Sequence, residues 1–276
     1  MIDYPQGYAG TILRVNLTDK EVFRHKLDID LISQFIGGRG LNAKLLYDEV
    51  KPDSDPLGPD NKIIFGVGPC AGTSVPGSQR FNVTAKSPLT GFFGDSNSGG
   101  DFGAALKYAG YDVIILEGKS EVPIYLFIND ENVELKEAGH LWGKTTFETR
   151  RAIEREVDDP DVCLAAIGPG GENLVSFANI ISELGRAAGR AGMGTVMGSK
   201  KVKAIAVRGT HGVKVADYEM LKELNTENYQ LWRADNKAYQ RWTEYGPTTA
   251  WSAYAMCGML PTKNFRQGTF GKDMFE

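Results

Sequence analysis

The sequence is poor in cysteine, in histidine and in long apolar runs, and each shortage removes a class of explanation. Cys70, Cys163 and Cys257 stand far apart and form no C-x-x-C pair, which excludes a disulfide framework and a locally complete metal site. His25, His140 and His211 fall after a hairpin strand, before Leu141-Trp142-Gly143 and in a turn. Each reads as a packed or surface residue rather than a catalytic one, and no His, Cys, Asp and Glu set has metal-ligand spacing. The opening Met1-Ile2-Asp3-Tyr4-Pro5 has neither a basic nor an apolar leader region, and no later stretch reaches the apolar length of a bilayer span. The expected location is cytoplasmic. Nor is there an excess of positive charge: the formal net charge is −4, so nucleic acid is not an expected partner. A G-x-x-x-x-G-K-[ST] loop is missing, as is a strand–glycine–helix unit with an acidic residue about twenty positions on. Both absences argue against ordinary nucleotide or dinucleotide binding.

Glycine is plentiful, at 33 of 276 residues, and it is gathered into short clusters between apolar runs. Such clusters mark sharp turns or close approach to the backbone. Around them, residues 10–23 alternate as a hairpin, and helices are expected at 30–36, 41–47, 103–109 and 145–157. Further strands are expected at 62–68, 80–85, 112–117, 124–128, 132–136, 162–167 and 202–208. Strands outnumber helices and do not alternate with long ones, which predicts an α+β domain of large, antiparallel or mixed sheets. After Gly209-Thr210-His211-Gly212 the composition changes. Residues 217–245 lack Gly and Pro and read as one long helix, and the sequence then runs to Phe275-Glu276 with no stop signal. A domain boundary is expected near residue 212.

Three clusters could carry chemistry. The first, from Gly68 to Arg80, is a polar Gly/Pro-rich loop that delivers an arginine at the head of a strand. It reads either as a surface loop or as an anion clamp. The second, from Ser87 to Gly100, places Ser96-Asn97-Ser98-Gly99-Gly100 before a helix, where free amides could meet an anion or a simple N-cap could suffice. The third, Gly185-Arg186-Ala187-Ala188-Gly189-Arg190-Ala191-Gly192-Met193-Gly194, sets two arginines four apart among small residues. On a helix they would share one face. Tight packing explains the glycines but not the arginines, which favours an anionic ligand. Cys70 and Cys163 read as buried small apolar residues.

Several of these segments, in order, resemble the aldehyde:ferredoxin oxidoreductase family. They are Gly7-Tyr8-Ala9-Gly10 leading into Ile12-Leu13-Arg14-Val15-Asn16-Leu17, Phe35-Ile36-Gly37-Gly38-Arg39-Gly40-Leu41, Lys86-Ser87-Pro88-Leu89-Thr90-Gly91 and Ser96-Asn97-Ser98-Gly99-Gly100. Leu106-Lys107-Tyr108-Ala109-Gly110-Tyr111-Asp112, Ile167-Gly168-Pro169-Gly170-Gly171-Glu172-Asn173-Leu174 and the run from Arg186 to Val207 extend the match over residues 7–212. The resemblance implies a base of two β-sheets over residues 1–212, carrying a tungsten or molybdenum atom held by two pyranopterins. Residues 213–276 would begin a helical domain that is cut short. It also implies oxidation of aldehydes to carboxylic acids with ferredoxin as electron acceptor.

By the same resemblance, Arg80, Asn97, Ser98, Gly99, Gly100, Arg186, Ala187, Gly189 and Arg190 fall at cofactor-binding positions. Backbone carbonyls of Asn97 and Ala187 fall where the family holds a magnesium ion between two pterin phosphates. All three clusters would then serve one site, with Arg80, Arg186 and Arg190 converging on one polar cavity. No catalytic residue is assigned. The family's C-x-x-C-x-x-x-C group for a 4Fe-4S cluster follows the stretch matching Leu260-Pro261-Thr262-Lys263-Asn264-Phe265, and it is not among these 276 residues; Cys257 is not at a cluster position. Two readings follow. One is part of a redox enzyme, inactive as this isolated chain, whose cluster ligands come from a second chain or from further sequence. The other is a non-catalytic pterin-binding or scaffold subunit.

Overall fold

A computed structural model describes residues 4–183, 185–233 and 236–269. The expectations about Met1-Ile2-Asp3 and Phe275-Glu276 lie outside the described residues. The chain divides into two compact units, Met1–Tyr218 and Glu219–Glu276.

In the first unit, strands β1 (Thr11–Asn16), β2 (Glu21–Lys26), β3 (Ile63–Val67), β4 (Phe81–Lys86), β5 (Phe93–Ser98) and β6 (Val113–Glu117) form one sheet. Its order is β2-β1-β6-β3-β4-β5, so β5 is an edge. Helices α1 (Ile29–Phe35), α2 (Gly38–Glu49) and α3 (Phe102–Tyr108) belong with it. The second sheet is made of β7 (Ile124–Asn129), β8 (Asn132–Glu137), β9 (Cys163–Ala166), β10 (Ile180–Ser182), β11 (Arg186–Ala188) and β12 (Val202–Arg208). Its order is β11-β10-β9-β12-β7-β8, which makes β11 an edge. Helices α4 (Thr146–Val157), α5 (Pro169–Glu172) and α6 (Met193–Ser199) accompany this sheet. Only the pairs β1–β6 and β7–β12 are parallel; the other pairings are antiparallel. The fold is therefore the mixed α+β class read from the sequence.

The central strands are apolar on both faces, as β3 (Ile-Ile-Phe-Gly-Val) illustrates with every residue buried, because both sides of each sheet are covered. Leu13, Phe65 and Val83 from the first sheet share a core with Leu126, Ile205 and Val207 from the second. Phe102 and Leu106 of α3 and Met193 and Met197 of α6 lie in the same core. On the outer face of the first sheet, Leu41, Leu45 and Ile32 cover Ile64, Val113 and Ile115. On the outer face of the second, Ile153 of α4 packs with Tyr125, Leu164 and Ala204. Helix α4 starts cleanly because Thr145 and Glu148 form a reciprocal capping box.

Two local readings need correction. Residues 217–245 form two helices, α7 (Tyr218–Arg233) and α8 (Lys237–Tyr245), not one. The break follows from Asn236, whose side chain caps the amides of Ala238 and Tyr239 and so starts a new helix; residues 234–235 lie outside the description. Helix α9 (Trp251–Met256) follows. Trp232, Trp242 and Trp251 are 39%, 50% and 47% exposed, a large apolar display for so short a segment. The second correction concerns Cys70, which is exposed rather than buried, whereas Cys163 is half-buried in β9.

Candidate functional site: the seam between the two sheet edges

The sequence of β5, Phe-Gly-Asp-Ser-Asn-Ser, has poor strand propensity, yet it pairs along its length with β4, Asn82 opposite Asn97 and Phe81 opposite Ser98. Alternation then divides its side chains: Ser96 and Ser98 are buried, while Asp95 and Asn97 face outward. The buried serines fasten this edge to the edge of the other sheet. The hydroxyls of Ser98 and Ser182 lie 3.1 Å apart, Ser182 donates to the Gly99 carbonyl at 3.0 Å, and the Arg190 amide donates to Ser96 Oγ at 3.0 Å.

The third cluster is not a helix at its arginines. Arg186-Ala187-Ala188 is strand β11, paired with β10 so that Ser182 faces Arg186, and Arg190 lies in the turn beyond. The strand ends at Ala188 and Arg190 lies in a bend outside it, so the condition for a shared helical face is not met. Two cavities flank the seam instead. The first, about 530 Å³, is lined by Arg39, Asp95, Ser96, Asn97, Ala187, Gly189 and Arg190. The second, about 700 Å³, is lined by Gly100, Asp101, Arg150, Glu183, Gly185 and Arg186. Arg80 is exposed and in the lining of neither, although its backbone lies under α3, 3.3 Å from where a Gly103 Cβ would stand. Ser98 is buried in the seam itself, and Gly99 supplies the carbonyl that Ser182 holds.

The glycines of the second and third clusters and of α6 do two different jobs. A Cβ on Gly194 would come within 2.4 Å of the Asn179 carbonyl oxygen, and one on Gly198 within 2.0 Å of that of Gly171, so these two are needed for packing. Gly99 and Gly185 have nothing within 4 Å of an added Cβ; a side chain at either would fill open space at the seam. A flat or multiply charged ligand laid on the backbone fits that arrangement.

Arg39, Asp95, Arg150 and Glu183 line the two cavities without having been among the residues expected to bind a cofactor. Arg39 Nε lies 3.1 Å from Asp95 Oδ2. Behind that pair sits Asn82, only 2% exposed, whose amide nitrogen approaches Asp95 Oδ2 at 3.2 Å and Asn97 Oδ1 at 3.3 Å. Asn82 Oδ1 in turn accepts from Asn42 at 3.0 Å and from Thr84 at 2.6 Å. In the second cavity, Arg150 of α4 donates to Glu154 and to Glu183, both at 2.6 Å. Glu183 Oε1 is buried with no hydrogen-bond partner. Burial, and then the charge of Asp101, push the Glu183 carboxyl up, against the pull of Arg150. The nearby Cys163 thiol, pushed up to about 12 by burial and then by Glu183, gives its own weak hydrogen bond to the Asp161 carbonyl, and burial disfavours its thiolate.

The aldehyde ferredoxin oxidoreductase N-terminal domain family matches residues 12–209, and the chain belongs to that family. It is 47% identical over 264 residues to the tungsten-containing aldehyde ferredoxin oxidoreductase of Thermococcus kodakarensis, covering 96% of this chain and 44% of that protein. The enzyme of the same name from Pyrococcus furiosus is 45% identical over the same shares. The chain thus spans less than half the length of these relatives. Among solved structures, it superposes with TM-score 0.81 and 40% identity on the active-site complex BamBC of benzoyl coenzyme A reductase, over 84% of this chain and 36% of that one. No helix among the described residues is long and apolar enough to cross a membrane.

Proposed function

We propose that this chain is the cofactor-bearing N-terminal part of a tungsten- or molybdenum-pterin oxidoreductase that oxidises aldehydes to carboxylic acids and passes the electrons to ferredoxin. Residues 1–212 serve as the pterin base and 213–276 as the start of a helical domain. The observation that carries the reading is the grouping of Asn97, Ala187, Gly189 and Arg190 around one cavity at the seam. These residues come from sequence segments some ninety positions apart, and all four are among the nine that the family resemblance names. Gly100 and Arg186 line the neighbouring cavity.

The residues fit the group. Guanidinium forks match phosphate oxygens, and the open faces of Gly99 and Gly185 leave a flat ring room against the backbone. Backbone carbonyl oxygens of Asn97 and Ala187 suit a hard cation such as magnesium. When bound, the metal-pterin group supplies the two-electron redox chemistry: aldehyde and water become carboxylic acid, two protons and two electrons. The chain's own residues bind and orient. Arg186 and Arg190 hold anionic arms, and the Ser96, Ser98 and Ser182 hydroxyls fix the distance between the edges on which those arms rest.

A 4Fe-4S relay needs four thiolates as a rule, and the three scattered cysteines here do not provide them. The polypeptide of these 276 residues is therefore expected to be inactive with aldehydes and ferredoxin, and to gain turnover with a polypeptide bearing C-x-x-C-x-x-x-C. Metal and pterin analysis of the protein purified without oxygen tests the binding half. Stoichiometric tungsten or molybdenum with pterin supports the reading, and a metal-free, pterin-free protein from tungstate- and molybdate-supplied cells overturns it. Aldehyde oxidation by these residues alone would overturn the division of labour.

A further inference from the structure

We propose that Arg39 is a further anion-binding residue: with Arg190 it grips a phosphate-type anion from two sides of the 530 Å³ cavity, held in place through Asp95 and the buried Asn82. The inference deepens the reading above and rests on it only for the identity of the anion.

Arg39 and Arg190 line the same cavity although about 150 positions separate them in sequence, and Asp95 is the only acidic one among the described lining residues. The charged lining side chains therefore sum to one positive charge. Fold stability does not account for the Arg39–Asp95 pair. The Arg39 side chain is 67% exposed, and exposed ion pairs contribute about 0–1 kcal/mol. What lies behind the pair is far more elaborate than a surface contact needs. Asp95 takes an amide proton from Asn82, the same amide nitrogen reaches Asn97, and Asn82 is itself fixed by the fully buried Asn42 and Thr84. Close packing prevents the network from sliding, since a Cβ on Gly66 would stand 2.2 Å from Asn42 Oδ1. A chain of buried amides thus fixes one carboxylate, and that carboxylate fixes the direction of one exposed guanidinium at the cavity wall. Preorganisation of this kind lowers the ordering cost of binding, and a guanidinium in fixed orientation is suited to two oxygens of a tetrahedral anion.

The test titrates the 276-residue chain with inorganic phosphate, with and without magnesium, by calorimetry and phosphorus NMR. Arg39→Ala and Arg190→Ala are each expected to weaken binding about tenfold, the loss of one charge-assisted contact. Arg155→Ala, an exposed arginine on α4 outside both cavities, should leave it unchanged. Because Arg39 is exposed, its variant should melt with the wild type; Arg39→Lys should recover part of the affinity. Wild-type protein that binds no phosphate, or an Arg39→Ala variant that binds as Arg155→Ala does, overturns the proposal. A second arm measures metal and pterin retained by chains purified without oxygen. Arg39-dependent phosphate binding in a chain that never holds pterin would sink the cofactor reading and keep Arg39. Full pterin content unchanged by Arg39→Ala, together with unchanged phosphate binding, would do the reverse.

Discussion

Arg190 and Arg186 stand four residues apart, and each faces a cavity that a second arginine also lines, Arg39 for one and Arg150 for the other. The difference lies in the acids. Beside Arg190 there is one carboxylate, Asp95, backed by amides; beside Arg186 there are Asp101 and Glu183, and Arg150 is already taken by Glu154 and Glu183. Formal charge in the lining is thus plus one on the first side and zero on the second. Neutral amide groups orient a charge without cancelling it, whereas carboxylates do both. On the proposal above, the first cavity therefore takes an anion more readily than the second, where carboxylates offset the arginine charge.

The comparison can be broken at its foundation. Asn82→Leu takes the side-chain partner from the buried Asn42 and Thr84 and the supporting amide from Asp95 and Asn97, so a loss of about 3 kcal/mol in urea unfolding is expected, together with loss of phosphate binding at Arg190. Unchanged stability would mean that the amide network does not support the cavity. Ser182→Ala cuts the hydroxyl tie between the sheet edges on which both cavities depend; about 1–2 kcal/mol of stability should go, and both cavities should loosen together. If only one responds, the seam is not their common frame.

A finer contrast separates the two arginines of the third cluster. Arg190→Ala should weaken phosphate binding by roughly tenfold and Arg186→Ala by less than about threefold, as expected where acids already offset the charge. Equal effects would erase the distinction. The smallest expected effect is in pH dependence. The carboxyl of Glu183 is raised in the folded state by burial, above its ordinary 4.5. The folded protein therefore keeps this proton where the unfolded chain has lost it, and stability falls as pH rises from 4.5 through the folded value. Glu183→Gln should abolish that part of the slope, measured as the difference between urea midpoints of the two proteins across pH 4.5–7. Parallel curves would show Glu183 ionising as an exposed glutamate does.

The parts legible in the sequence were those with local causes. The first hairpin, the apolar strands β3, β6 and β12 and the capped helix α4 follow from alternation, β-branched runs and the Thr145–Glu148 box. Strands β5 and β11 were not legible, because serine, asparagine, glycine and alanine carry little strand signal, and β10, Ile-Ile-Ser, is only three residues long; all three become strands when a neighbouring strand supplies their hydrogen bonds. The mistaken helical face for Arg186 and Arg190 has the same origin. So has the exposed meeting of Asp130, Glu131 and His211, which no spacing rule could find across eighty residues.

By itself, then, the sequence determined the class of fold, the family, and the residue types that a phosphate-bearing ligand requires, since these depend on short-range pattern and on ordered motifs. Only the tertiary structure decided which arginine faces which cavity, that Arg39 and Arg150 belong with them, and that Asn82 stands behind the first. Those facts depend on the seam where Ser98 of β5 meets Ser182 of β10, a contact between segments 84 positions apart that no local propensity encodes.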